Sequence, residues 1–153
     1  MNPDFVDFLA ALLLAEARFL VVGAHALAVH GVPRATGDID IWIDRSPPNV
    51  ALVWRAMADF GVPAAAPGVQ RSDLEAPDTV IQIGLPPRRI DVLTDVTGLV
   101  FEPAWESRVV HRIGALDVPF LGREDLVRNK RATGRYKDLG DIEALGEDPR
   151  AEG

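Results

Sequence analysis

The segment Asp38-Ile39-Asp40-Ile41 carries two acidic residues at a spacing that could do chemistry. Side chains at positions i and i+2 of a strand share a face, so Asp38 and Asp40 would point one way and the isoleucines the other. Two like charges side by side repel unless a cation lies between them, and hard cations such as Mg²⁺ bind carboxylate oxygens. The doublet therefore fits a metal site, although a solvated acidic strand face is the simpler alternative.

Asp91 is a third candidate ligand. It alternates with apolar residues in the strand-like segment Arg89-Ile90-Asp91-Val92-Leu93. A carboxylate on a neighbouring strand could complete a site for two Mg²⁺ ions. The alternative is an acid at a hairpin edge that pairs with Arg88 or Arg89.

Gly23-Ala24-His25 lies where an apolar strand turns into a helix. Glycine allows a ligand to approach the backbone closely, and the first N–H groups of a helix can bind an anion. This turn could therefore hold phosphate groups, or it could be an ordinary strand–helix corner.

The elements that must position these residues follow from hydrophobic periodicity and turn residues. Together they predict an α+β domain over residues 1–146, with a mixed β-sheet flanked by helices, C-terminal helices, and a flexible tail at 147–153. Two pairs of strands, within 79–93 and 109–121, are predicted to form hairpins. One predicted helix begins at residues 2–3, and the others cover residues 24–30, 46–61, 102–108, 123–133 and 136–145. The predicted strands cover residues 18–22, 38–44, 79–84, 88–93, 109–113 and 116–121.

Composition narrows the function classes. The chain has 153 residues, which suits a single domain, and it has no cysteine, which excludes disulfides and thiolate metal ligands. Its formal net charge of −7 argues against a protein that coats nucleic acid through charge alone. Asp4 and Asp7 stand where a signal peptide would carry basic residues, and the apolar run 8–15 is shorter than the ~20 residues of a membrane span. We therefore expect a cytoplasmic protein without a membrane partner.

The order of these features resembles the nucleotidyltransferase superfamily with the DNA polymerase beta-like fold. That pattern comprises a glycine turn, an acidic-x-acidic strand and a later acidic strand, matched here by segments 22–25, 34–41 and 90–92. The chain further resembles the small bacterial AbiEii-type branch, which often carries a downstream Lys and an Arg-x-Lys/Arg-Asp segment. Here these would be Lys130 and the segment 135–138, so the resemblance spans about residues 18–145.

The resemblance implies an enzyme that moves an NMP from an NTP to a hydroxyl group with Mg²⁺ or Mn²⁺ as cofactor. It implies that Asp38, Asp40 and Asp91 are the catalytic residues and the metal ligands. The acceptor could be tRNA or a protein, and the chain could be one partner of a toxin–antitoxin pair. One alternative is an inactive nucleotidyltransferase-fold binding protein that acts as an antitoxin or regulator. It is motivated by the turn Gly23-Ala24-His25, because the superfamily has Gly-Gly or Gly-Ser and often a hydroxyl where His25 stands.

Further candidates would bind the nucleotide. Residues 128–137 hold five basic residues in an otherwise acidic protein, and the resemblance favours Lys130 as the triphosphate ligand. The rest of this cluster could contact RNA, or it could be a solvated helix face. Possible auxiliary residues are Arg135 and Asp138, although an acidic residue also suits the first turn of a helix. The candidate nucleotide-binding residues are Gly23, Ala24, His25, Arg34, Thr36 and Lys130.

Trp42 has two possible interpretations. It lies on the same predicted strand face as Asp38 and Asp40, and it could stack on a nucleobase. The alternative is a tryptophan of the hydrophobic core.

Overall fold

A computed structural model describes residues 1–34, 37–62, 68–85 and 88–150 of the chain. Its helices are α1 (Pro3–Leu14), α2 (Gly23–Val29), α3 (Pro47–Phe60), α4 (Phe101–Glu106), α5 (Arg123–Thr133) and α6 (Tyr136–Ala144), with a 3₁₀ turn at Arg71–Leu74. Its strands are β1 (Phe19–Val22), β2 (Ile39–Ile43), β3 (Val80–Ile83), β4 (Ile90–Leu93), β5 (Val109–Ile113) and β6 (Leu116–Phe120).

The strands form one mixed sheet in the order β3-β4-β2-β1-β6-β5. Strand β2 is antiparallel to β1 and parallel to β4, and β1 is parallel to β6. The central strands are covered on both faces, so all four residues of β1 are buried. By contrast, β3 at one edge alternates exposed and buried residues, as expected for a strand with one solvated face.

Helix α1 shows how the sequence specifies local structure. The Asn2 side chain accepts a hydrogen bond from the Asp4 N–H at 2.7 Å, and Pro3 occupies the first helical position, where no intrahelical N–H bond is lost. The apolar stripe of this helix is buried at Phe5, Phe8, Leu9 and Leu12. It packs against α3, while α5 packs against α6 on the C-terminal side. The predicted α+β class, with a mixed sheet flanked by helices and two C-terminal helices, is confirmed.

Both predicted hairpin pairs occur. β3 pairs with β4 and β5 pairs with β6, each antiparallel. Trp42 is 1% exposed and meets Phe101 edge to face at 5.0 Å, which confirms its assignment to the core. The 3₁₀ turn at Arg71–Leu74 was not predicted.

Two residues of the predicted tail contact the C-terminal helices. Arg123 Nη1 lies 2.5 Å from Glu147 Oε1, and Arg131 donates a hydrogen bond to the Asp148 carbonyl at 2.8 Å. Across the described residues, no helix combines the length and the apolar character needed to cross a membrane.

Candidate active site

The sheet brings the three candidate carboxylates together. Asp40 on β2 lies directly opposite Asp91 on β4 in the parallel pair, and Asp38 immediately precedes β2. The backbone N–H of Arg89, one residue before β4, donates to Asp38 Oδ1 at 2.9 Å. Asp38, Asp40 and Asp91 line the same cavity.

Gly23 closes the site on the other side of β2. It follows β1 directly, and the last residue of that strand, Val22, pairs with Asp40. Gly23 has a φ of +67°, which side-chain-bearing residues rarely adopt. A Cβ atom here would lie 2.3 Å from Asp40 Oδ2, so only glycine allows this close approach.

The carboxylates are held close enough to oppose one another's ionisation. Burial raises the pKa of Asp40 to about 6, and the neighbouring charges of Asp91 and Asp38 push it in the same direction. A hydrogen bond between the Asp40 and Asp91 side chains adds to this effect, while Arg89 acts against it. The site therefore concentrates negative charge that a cation would stabilise.

Arg89 supplies the nearest positive charge. Its Nε donates to Asp91 Oδ1 at 2.6 Å and its Nη2 to Asp91 Oδ2 at 3.1 Å, which is a two-point pairing of guanidinium with carboxylate. The same Nη2 lies 3.5 Å from Asp38 Oδ2. One guanidinium thus bridges two of the three candidate metal ligands.

The carboxylates open into a cavity of about 580 Å³. This volume lies within the range typical of small-molecule sites. Basic and polar side chains from α5, from the segment after it and from α6 form another part of the cavity wall, here called the basic wall. These are Asn129, Lys130, Thr133, Arg135 and Lys137.

An ionic network includes Lys130 of that wall. The Lys130 Nζ is 3.4 Å from Asp138 Oδ1 and 3.2 Å from Asp141 Oδ2. Asp141 also forms an ion pair with Arg34, from the segment before β2. Lys130, Asp138 and Asp141 are all buried, so the network ties α5 and α6 to the segment that leads into Asp38.

Asp138 accepts several hydrogen bonds within the network. Its carboxylate accepts hydrogen bonds from the Thr133 hydroxyl at 2.7 Å and from Arg135 Nε at 2.7 Å. Burial alone would raise the pKa of Asp138, but the bonds from Arg135 and Thr133, with the charge of Lys130, hold it well below its usual range. A carboxylate held so firmly in its ionised form is a weak proton acceptor, and its contacts are those of a helix-capping and ion-pairing residue.

The predicted nucleotide-binding residues divide into three groups. Gly23, Ala24, Arg34 and Lys130 line the cavity, together with the auxiliary candidate Arg135. His25 and Asp138 do not line it. Thr36 lies outside the described residues.

The His25 ring makes a hydrogen bond at 3.1 Å to the carbonyl of Asp38. Burial lowers the pKa of His25, so the ring is neutral near pH 7. His25 thus links α2 to the segment that carries the acidic pair.

The chemistry of the donor set fits a hard divalent cation. The ligands would be Asp38, Asp40 and Asp91, all oxygen donors of one charge. Burial, together with the charges of Asp91 and Asp38, raises the pKa of Asp40, and a cation would favour its ionised form. In the arrangement described, no three Asp, Glu, His or Cys side chains within 1–34, 37–62, 68–85 and 88–150 converge as metal ligands. Arg89 provides the positive charge between Asp38 and Asp91 instead.

Two residues of the site were not singled out from the sequence. Arg89 was considered only as a partner for a non-functional Asp91, although its spacing of two residues from Asp91 places both on one face. Asp141 lies three residues after Asp138 on α6, and this spacing places both acids on one helix face. Spacing alone could therefore have indicated that each residue lies beside its neighbouring acid, but not that Asp141 contacts Lys130 and Arg34.

Comparison with known proteins supports the fold. The structure is similar to a crystal structure described as a "putative nucleotidyltransferase (TM1012)" from Thermotoga maritima, with a TM-score of 0.57 and 15% sequence identity. The match covers 95% of this chain and 91% of that one. No protein-family model matches the sequence, and no curated protein matches it. The chain therefore has a nucleotidyltransferase-like fold.

Proposed function

We propose that this chain is a nucleotidyltransferase that depends on Mg²⁺ or Mn²⁺ and moves an NMP from an NTP to a hydroxyl group. One observation carries the proposal: Asp40 and Asp91 lie opposite each other on parallel strands beside Gly23, inside a nucleotidyltransferase-like fold. Three carboxylates and several basic side chains line the same cavity. A metal-bound triphosphate needs both kinds of group.

In the proposed reaction, the acceptor oxygen forms a bond to the α-phosphorus. The bond from this phosphorus to the oxygen that bridges to the β-phosphate breaks, and pyrophosphate leaves. Divalent metal bound to Asp38, Asp40 and Asp91 would neutralise the charge that develops during this in-line displacement. The proton of the hydroxyl would pass to Asp91.

The basic wall would orient the phosphates. Arg135 and Lys137 are exposed side chains that line the cavity, so they can follow a substrate as it enters. Lys130 is held by Asp138 and Asp141 and would act as a fixed positive charge. Burial lowers the pKa of Lys130, although Asp138 opposes this shift.

The acceptor in this proposal is tRNA or a protein, and the chain would act as one component of a toxin–antitoxin pair. The support is the resemblance carried by Lys130 and the segment 135–138. A co-expressed cognate protein would then bind the chain and control its transfer activity.

Transfer of label tests the proposal. The protein is incubated with each α-³²P-labelled NTP, with Mg²⁺ or Mn²⁺, and with total RNA or lysate protein. We expect label in a nuclease-sensitive or a protease-sensitive product, and we expect Asp91→Asn to abolish it. Label that persists in Asp91→Asn would reject the site, and absence of transfer under every condition would reject the activity.

One observation favours a second candidate, a nucleotidyltransferase-fold protein that binds its partner without turnover. Arg89 already pairs with Asp91 and approaches Asp38, as it would in a site that has no metal to bind. This candidate predicts that the melting temperature with NTP is unchanged by Mg²⁺. A Mg²⁺-dependent rise in melting temperature with NTP would exclude it.

A further inference from the structure

We propose that Arg89 is an internal counter-cation that competes with divalent metal for Asp91. This inference rests on the proposed metal site and concerns how that site is loaded. It makes Arg89 a positioning residue, because its guanidinium acts on Asp91 and Asp38.

The contacts of Arg89 occupy the acceptor oxygens that a metal would need. The guanidinium bonds to both Asp91 oxygens, at 2.6 and 3.1 Å, and lies 3.5 Å from Asp38 Oδ2. The Asp91 side chain is 11% exposed, so little of it is open to a cation from solvent. A metal ligated by Asp91 must therefore displace at least one of these bonds.

The backbone of Arg89 is fixed independently of its side chain. Its N–H bonds to Asp38 Oδ1 at 2.9 Å, and its carbonyl accepts from the Ile39 N–H at 3.0 Å. These bonds hold the start of β2 beside the start of β4. The guanidinium can therefore leave the carboxylates without loss of the pairing that places Asp38.

The chain also offers room for that movement. The Arg89 side chain is 24% exposed and lines the cavity, so its head group can turn toward solvent or toward an anion in the cavity. While it remains in place, it offsets part of the mutual repulsion of the three carboxylates. Arg89 thus stabilises the three carboxylates, and the same interaction would weaken metal binding.

Mn²⁺ titration followed by electron paramagnetic resonance of free Mn²⁺ tests the inference on the whole chain at pH 7.5. We expect Arg89→Gln to lower the Mn²⁺ dissociation constant about tenfold, since an adjacent Arg shifts proton binding to a carboxylate by about 1–3 pKa units. Arg89→Lys keeps the charge but loses the two-point pairing, so we expect a smaller decrease, about threefold. The matched control is Arg88→Gln, which removes the same charge from an exposed neighbour and is expected to stay within about twofold of the wild type.

Asp91→Asn tests whether Arg89 weakens Mn²⁺ binding through Asp91. Because Arg89 competes at Asp91, the gain from Arg89→Gln should disappear when Asp91→Asn is already present. Circular dichroism establishes that each variant is folded, and Arg89→Lys replaces Arg89→Gln in the comparison if the latter does not fold.

The inference is overturned if the folded Arg89 variant binds Mn²⁺ no more tightly than the wild type. If Asp40→Asn abolishes Mn²⁺ binding in that case, the metal site of the proposed function stands and only the role of Arg89 is rejected. If none of the proteins binds Mn²⁺, the metal site fails as well.

Discussion

Two charged clusters, each with residues that line the same cavity, are stabilised in opposite ways. The acidic cluster, Asp38, Asp40 and Asp91, concentrates like charges, and Asp40 has a raised pKa of about 6. The ionic network, Arg34, Lys130, Asp138 and Asp141, pairs its acids with bases, and Asp138 has a pKa held well below its usual range. Ionisation of the acidic cluster is therefore unfavourable, whereas the ionic network is stabilised by the charges of its members.

This difference predicts separate roles for the two clusters. Carboxylates that repel one another persist in a fold only where the surrounding structure fixes them, and such sites are typically functional. The ionic network has the opposite character, because each buried charge there faces a partner that replaces its lost hydration. We therefore expect substitutions in the acidic cluster to affect catalysis and substitutions in the network to affect stability.

The largest expected effect is on transfer activity in Asp40→Asn. We expect transfer to fall more than about 100-fold, because even the outer partners of metal ligands contribute about 10–100-fold. The melting temperature without divalent cation should stay equal or rise, because the amide removes a buried like charge. Activity is measured by NMP transfer and stability by thermal denaturation. A variant that loses both activity and stability would contradict the separation of the two clusters.

The next effect is on stability in Asp138→Asn. The change removes a fully buried charge that pairs with Lys130 and Arg135, and breaking a buried ion pair costs about 3 kcal/mol. In a chain of this length that lowers the melting temperature by about 9 °C. The matched control is Asp59→Asn on the exposed face of α3, which should change it by about 1 °C or less. If Asp138→Asn is as stable as this control, the network does not stabilise the fold.

A smaller effect is expected for Gly23→Ala, which tests the close packing around the acidic cluster. The added Cβ would meet Asp40 Oδ2 at 2.3 Å, and the positive φ adds strain of about 1–2 kcal/mol. Gly31→Ala is the control, because Gly31 also has a positive φ, of +96°, but a Cβ added there would meet no atom within 4 Å. Gly23→Ala should lose at least as much stability as Gly31→Ala, measured by denaturant unfolding, and only Gly23→Ala should lose transfer activity. Equal activity in the two variants would show that the position of Asp40 does not depend on Gly23.

The acidic cluster was readable from the sequence because its signal is local. Strict alternation in residues 38–44 predicts a strand with Asp38 and Asp40 on one face, and the strands of residues 18–22 and 88–93 follow from their apolar patterns. The pairing of β2 with both β1 and β4 is long-range, and the resemblance predicts a mixed sheet but not this strand order. The fold class therefore followed from the sequence.

The ionic network was not readable in the same way. The basic segment 128–137 contains Lys130, but nothing local indicates that its ammonium group turns toward Asp138 and Asp141 on the following helix. The same limit applies to Trp42, which alternation places beside Asp40 and which packing against Phe101 buries. Tertiary contacts, rather than propensity or periodicity, decide these side-chain environments.

The smallest effect is the pH dependence of the two stability changes, and it distinguishes the clusters most directly. The pKa of Asp40 is raised from 3.8 to about 6 in the folded chain, so folding binds protons between these values and stability decreases as pH rises through about 6. Asp40→Asn should therefore melt higher than the wild type at pH 8, by about 3 °C for each kcal/mol relieved, and this difference should disappear near pH 4.

The pKa of Asp138 is lowered instead, so its stabilisation is complete above its unfolded value of 3.8 and is lost only as pH falls toward the folded value. Asp138→Asn should accordingly be destabilised by the same amount throughout pH 5–8. Melting curves of both variants and the wild type at pH 4, 5, 6, 7 and 8 without divalent cation measure this. Parallel pH profiles for Asp40→Asn and the wild type would mean that the acidic cluster is as well neutralised as the ionic network.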